Sequence, residues 1–444
     1  MTLGPDLTPA AAPKSQPPAD MPRVVALSAA VRPDYGILPP ADPQARVAAL
    51  YLHVPFCSTK CHYCDFYSVA GKLEQTQAYL DALAREIRIS VSHFGKPRPE
   101  TIFIGGGTPT LLAAEHLERL LNLIRGAADL SDLAEFTVEA NPNTFDPARA
   151  KVLATSGVNR ISFGAQSFVA AELAILQRDH DPENVVAAVE IARQHGLANI
   201  NLDLIFGTPG QTLDSWNYSL GRALALRPDH LSCYSLTYEP QTAMTARLRS
   251  GEFTPLDESL ELAIFQHTYD TLRHAGFERY EVSNYARAGQ GGKWRCRHNL
   301  HYWKGRNYLG WGPAAASGYQ GWHWKNIPSL NHYLAALSPS APNGAVKSGE
   351  AEGMLPLTQV EHLPPVRRAG ELLMLWFRLT DGVNFAEFQA RTGVDLRPRL
   401  EPILKRYDGL GFFAEIEGGS GIRMTDKAVP VSDALLREML TLFR

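Results

Sequence analysis

From about Val47 to Ala286, short β-branched or aromatic runs alternate with longer amphipathic stretches, and this alternation constrains the fold more than any other feature of the chain. Candidate strands occupy 49–56, 101–107, 135–142, 160–168, 199–207 and 230–237, with helical patterns near 75–93, 112–125, 146–156, 182–195 and 213–226. A later helix near 257–275 precedes one more expected strand over 279–286. Strand and helix alternating every ~30 residues indicate right-handed βαβ units and a parallel sheet. Six such units predict an α/β fold built on a partial (β/α)6 barrel. At 444 residues the chain exceeds one ordinary core, so a smaller second domain is expected.

That domain is read over 366–444, where helical patterns at 367–378, 384–392 and 397–409 precede a Gly-rich hairpin at 411–425. It is similar to a winged helix. Such modules often bind DNA, but from Val366 onward 12 Lys plus Arg face 11 Asp plus Glu, which leaves no basic face to drive that binding. The formal net charge of −3 likewise gives no electrostatic reason to expect nucleic acid or an anionic membrane as partner. Residues 1–44 are rich in Pro and Ala and poor in large apolar side chains, so they are expected to be a disordered leader. No apolar run follows a basic start there, and no uncharged apolar run anywhere reaches the ~18 residues a membrane span needs. A cytoplasmic protein is expected, organised as leader (1–44), barrel (45–290), connecting segment (291–365) and C-terminal domain (366–444).

The stretch 51–68, YLHVPFCSTKCHYCDFYS, gathers Cys57, Cys61 and Cys64, and the chain has only two other cysteines, Cys233 and Cys296. Thiolates are soft ligands for zinc, copper(I) or iron–sulfur clusters. A cubane held by three cysteines leaves one iron open, whereas structural zinc normally takes four protein ligands, here completed by His53 or His62. Three cysteines cannot pair off as disulfides, and Cys233, in an apolar strand, is expected to be a small core residue. Parallel barrels place chemistry at the carboxyl ends of their strands. Cys57 follows the first expected strand, Gly105 to Thr108 end the second, Glu139 and Asn141 the third and Gln166 the fourth, while Asp203 lies in the fifth. One site facing the cysteine loop is expected.

With Tyr63 before the last thiol, this loop resembles the signature of the radical S-adenosylmethionine superfamily. The resemblance implies a 4Fe–4S cluster on Cys57, Cys61 and Cys64, with S-adenosylmethionine on the open iron and reductive cleavage to a 5′-deoxyadenosyl radical. It also implies contacts to that cofactor from Tyr51, Tyr63, Gly106, Gly107, Thr108, Glu139, Gln166, Arg178 and Asp203. The glycines would admit its amino group to the main chain, Arg178 would pair with its carboxylate, and Asp203 would accept from its ribose hydroxyls. Downstream, RCRHNLHYWKGRNYLGWG (295–312) carries an H-N-x-x-Y-W pattern that resembles the haem-chaperone family called HemW. The resemblance spans about residues 48–430. Imidazole or thiolate ligates haem iron and large aromatics cover the macrocycle, which makes Cys296, His298, Asn299, His301, Tyr302 and Trp303 the candidate haem contacts. Haem, a haem-acceptor protein and an electron donor are the implied partners. The alternative is the related oxygen-independent coproporphyrinogen III dehydrogenase. Those enzymes typically carry a further cysteine two positions beyond the cluster motif, where this chain has Phe66.

Overall fold

The computed structural model describes residues 34–36, 38–42, 44–339 and 355–443. Six parallel strands form its centre: β1 (Ala49–Val54), β2 (Thr101–Gly106), β3 (Glu135–Ala140), β4 (Arg160–Gln166), β5 (Asn199–Phe206) and β6 (His230–Ser235), hydrogen-bonded in that order. Each begins at the expected residue and stops one or two residues before the expected end. The crossover helices are Thr76–Phe94, Ala114–Ala127, Pro147–Thr155, Pro182–Gln194 and Leu213–Ala225. Local chemistry sets their starts. Asp146 accepts from the Arg149 N–H, capping boxes open the helices at Pro182 and Leu213, and Pro147 and Pro182 occupy first-turn positions where a missing N–H costs nothing.

Successive side chains on a strand point to opposite faces. Phe136, Val138, Ile161, Phe163, Ile200, Leu202 and Leu204 are fully buried in one apolar core with helix residues such as Leu117, Leu120, Val185 and Leu220. The residues between them, Glu135, Thr137, Glu139, Arg160, Ser162, Asn201, Asp203, His230 and Ser232, are polar and turn to the barrel interior. Buried polar groups are costly without partners. Here Asn201 Nδ2 donates to Ser162 Oγ (2.7 Å) and Asp203 Oδ1 (2.9 Å), joining β4 to β5.

Three expectations are corrected. The strand expected over 279–286 is an antiparallel hairpin, Phe277–Arg279 and Asn284–Arg287, because buried Glu281 accepts from the Asn284 side chain and turns the chain between them. The segment 291–365 is no mere connection. Its Tyr308–Trp311 strand pairs in parallel with β1, and Ala316–Tyr319, Trp322–Asn326 and Leu355–His362 extend the sheet, which with the hairpin and Asp34–Gly36 has thirteen strands among the described residues. Without them β1 would present an unpaired edge. Glu86 locks this extension to the first crossover helix, accepting from Gly312 N–H (2.8 Å), Asn326 Nδ2 (2.5 Å) and the Tyr333 hydroxyl. Finally, the leader ends earlier than Gln44: Asp34–Gly36 pair with Leu355–Leu357, and Leu38 is buried. Residues 1–33 of the expected leader lie outside the described residues.

The C-terminal domain has its own core, including Leu373, Trp376, Phe388, Leu400 and Met439. Helices Pro365–Trp376, Phe385–Thr392 and Arg397–Arg406 match the expected ones, Ser432–Leu440 is additional, and a three-stranded antiparallel sheet completes a winged-helix-like unit. Among the described residues no helix is long and apolar enough to cross a membrane.

Candidate functional site

A cavity of about 490 Å³ opens at the carboxyl ends of the barrel strands. Cys57, Cys61 and Cys64 form one wall, and Tyr63, Gly106, Gly107, Thr108, Glu139, Gln166, Arg178 and Asp203 also line it. Tyr51 does not. It sits mid-strand in β1, half-buried, with its hydroxyl 3.0 Å from His53 Nδ1 and its ring against Phe103.

Burial pushes the Cys57 thiol up and the Cys64 thiol to about 11, the charges of Cys61 and Cys57 adding to the latter effect. Such thiols ionise when a metal takes the proton's place. The zinc reading needs an imidazole to complete its shell, and both candidates are engaged elsewhere. His53 is 3% exposed, with Nε2 on Tyr67 O (2.8 Å) and Nδ1 on Tyr51, while His62 Nδ1 lies 3.0 Å from Arg247 Nη1. Three soft donors spread along one wall suit a multi-iron cluster instead.

The loop carrying them is held from outside. Ser58 Oγ donates to Asp179 Oδ2 (2.6 Å), Asn141 Nδ2 donates to Asp179 Oδ1 (2.9 Å), and Met244 N–H donates to His62 O (2.8 Å). Asp179 and Ser58 were not among the expected site residues. The only sequence signal for Asp179 is its place beside Arg178, and Ser58 shows none beyond lying between two thiols.

Beside the cysteine loop, the glycine strand end seats a carboxylate. A Cβ on Gly107 would lie 2.5 Å from Phe56 O, so only glycine fits there, and a Cβ on Gly105 would lie 2.5 Å from Glu139 Oε2 and push the carboxylate from its seat. Gly106 N–H donates to Glu139 Oε2 at 3.2 Å. Burial, then the charge of Asp203, pushes Glu139 up to about 7. Asp203 is itself raised by burial, although it accepts from Ser162 Oγ (2.9 Å) and Asn201. Two half-buried carboxyls lining one cavity, the charge of one opposing ionisation of the other, favour a cation beside them. Gln166 takes a left-handed backbone, φ 63°, at the bulge that ends β4. Such strain in a non-glycine residue is concentrated at functional rims.

The six expected haem contacts lie elsewhere, at the amino ends of the strands. Helix Arg297–Trp303 closes the barrel floor, and none of Cys296, His298, Asn299, His301, Tyr302 or Trp303 lines the cavity. Glu135, at the start of β3, accepts from Arg297 N–H (2.7 Å), His298 N–H (3.2 Å) and Cys296 Sγ (3.4 Å). His298 is 1% exposed, with Nδ1 2.9 Å from Thr101 Oγ1 and Nε2 2.9 Å from the Tyr302 hydroxyl, so neither nitrogen has a lone pair to offer iron in this arrangement. His301 Nε2 lies 3.5 Å from Glu100 Oε2, and Trp303 Nε1 is buried without a hydrogen-bond partner.

Burial, with the charges of His301 and Arg160, lowers His298 to about 3. Its unfolded value is 6.5, so its contribution to stability is complete above that pH and is lost as pH falls toward 3. The gap in unfolding free energy between wild type and His298→Asn is expected to narrow by about 2 kcal/mol between pH 7 and pH 5. Parallel melting curves of the two proteins across that range would contradict the assignment.

A buried chain of hydrogen bonds joins floor to cavity. Asn201, bonded to Asp203, accepts from His230 Nδ1 (2.6 Å); His230 Nε2 accepts from the Tyr280 hydroxyl (2.8 Å); and that oxygen accepts from the Cys296 N–H (3.1 Å).

Comparison with known proteins agrees with this geometry. Residues 51–220 match the Radical SAM superfamily and residues 363–431 the HemN C-terminal domain. The chain is 35% identical over 356 residues to the protein named heme chaperone HemW of Bacillus subtilis, covering 80% of this chain and 89% of that one. It is equally 35% identical to the HemW of Escherichia coli, with 80% and 89% covered. The solved structure of coproporphyrinogen III oxidase (HemN) from Escherichia coli superposes with a TM-score of 0.73 at 23% identity, over 90% of this chain and 91% of that one, and so shares its fold. The chain therefore belongs to the radical SAM superfamily, and within it to the family of the heme chaperone HemW.

Proposed function

We propose that this protein is a cytoplasmic haem chaperone: it holds a 4Fe–4S cluster on Cys57, Cys61 and Cys64, binds S-adenosylmethionine in the adjoining cavity, and passes haem to an acceptor protein. The observation that carries the reading is a cavity with three thiols on one wall and the Glu139–Asp203 pair on its lining. When bound, the cluster supplies an open iron and an electron from an external donor. This chain's residues do the rest. Glu139 and Asp203 offer acceptors to the cationic and hydroxyl groups of S-adenosylmethionine, Tyr63 covers one side, and the glycine strand end leaves room for them.

Haem is proposed to engage the His298 segment after the floor helix has moved, since both ring nitrogens of His298 are occupied in the closed form. Phe66, 68% exposed at the cavity mouth, takes the place of the thiol that the dehydrogenases carry.

Anaerobic titration tests the reading. Protein with iron and sulfide in a ratio of about one is expected to take up haem stoichiometrically and to release it to apo-acceptor without consuming coproporphyrinogen III. Absence of haem uptake would defeat the chaperone assignment, and decarboxylation of coproporphyrinogen III would place the protein among the dehydrogenases.

A further inference from the structure

Arg178 lies on the cavity wall between β4 and the cysteine loop. Its Nη2 donates to Gly164 O at 2.8 Å, and its Nη1 donates to Cys61 Sγ at 3.4 Å. Each terminal nitrogen keeps a second N–H, so the fork can still face a cofactor carboxylate from the cavity wall while it holds the sulfur. Nε is out of contact with solvent and has no partner. The placement is enforced. A Cβ on Gly164 would lie 3.2 Å from Nη2, so the guanidinium rests on bare backbone. The carbonyl of Gly164 then fixes the direction in which the second nitrogen points.

The other two thiols receive neutral donors. Thr108 Oγ1 donates to Cys57 Sγ at 3.8 Å, and the Phe66 N–H donates to Cys64. Cys61 alone among the three has a permanent cation hydrogen-bonded to its sulfur in the described residues. A guanidinium remains charged at every pH the protein meets. The potential of an iron–sulfur cluster depends on net charge, hydrogen bonds to its sulfurs and solvent exposure, and a buried cation at a ligand sulfur favours the form carrying the extra electron.

We infer that Arg178 is a positioning residue for the cluster, donating a charged hydrogen bond to the Cys61 thiolate and thereby raising the cluster's reduction potential so that a moderate electron donor suffices to reduce it. The inference rests on the cluster reading above and adds to it the residue that sets the potential.

The test is an anaerobic redox titration of reconstituted full-length protein without S-adenosylmethionine, followed by the EPR signal of the reduced cluster. Arg178→Gln keeps a donor and loses the charge. It is expected to lower the reduction equilibrium constant at least tenfold, about 59 mV for one electron, with iron and sulfide content unchanged. Arg178→Lys keeps the charge but cannot donate to Gly164 O and Cys61 Sγ together. A smaller shift of the same sign is expected, and this variant supplies the reading if Arg178→Gln does not retain its cluster. Wild-type potentials in the variants that hold a cluster would overturn this assignment alone. Wild-type protein that takes up no iron and sulfide would overturn the cluster reading and this inference together.

Discussion

Replacement of Cys57, Cys61 or Cys64 by Ala is expected to abolish iron and sulfide retention after anaerobic reconstitution, while Cys233→Ala keeps wild-type content. The three loop thiols share one cavity wall and bear on one another's charge, and a cubane stripped of one of three anchors has two open irons. Cys233 is buried at 4% exposure in β6, where burial pushes its thiol far above the usual range, and it plays the part of a small apolar side chain. Iron and acid-labile sulfide per chain decide the matter. Equal loss in all four variants would remove the ligand assignment, and so would full retention in any of the loop variants.

Glu135→Ala is expected to cost about 3–5 kcal/mol of stability, the usual range when one member of a buried charged set is removed. Glu135 is 4% exposed and accepts from the first residues of the floor helix, from Cys296 Sγ and from Thr137 Oγ1 (3.3 Å). It also opposes Arg160, which is 2% exposed and has an unpartnered Nε. Without the carboxylate, two helix N–H groups lose their acceptor and the buried Arg160 guanidinium loses a neighbouring negative charge. Glu135→Gln keeps an oxygen but loses the charge, and a cost of about 1.5–3 kcal/mol is expected. Thermal unfolding of the cluster-free protein checks both. An Ala variant that melts with wild type would mean that the H-N-x-x-Y-W helix is not held to the barrel in solution as it is here. That result would also loosen the geometric objection to haem on His298.

The floor helix also links the two domains. Arg391 of the C-terminal domain donates to Lys304 O (2.6 Å) and Gly305 O (2.9 Å) just beyond its end, and Arg378 lies over the Trp303 ring. The chaperone proposed above would have to release the helix from Glu135, Thr101 and Arg391 together to expose the imidazole. The chain of hydrogen bonds from Asp203 to Cys296 connects that event physically to the cavity.

What the sequence determined by itself is the barrel and its rim. Apolar periodicity switches between strand and helix over stretches short enough to read locally, and parallel βαβ units necessarily bring the carboxyl ends of successive strands to one side. Cys57, Gly106, Glu139, Gln166 and Asp203 therefore met in one cavity, as their positions at or near strand ends required. The polar alternates of β3 to β6 were legible in principle from period two, since Glu135, Arg160, Asn201 and His230 each sit at an inward position. Only the tertiary structure decided which end the H-N-x-x-Y-W helix closes, what Arg178 donates to, and that 291–365 completes the sheet. Those outcomes rest on hydrogen bonds between residues more than a hundred positions apart, such as His298 to Thr101 and Arg178 to Cys61. No local pattern encodes such a pairing, because its partners are chosen by whichever buried donor or acceptor the folded barrel leaves unsatisfied.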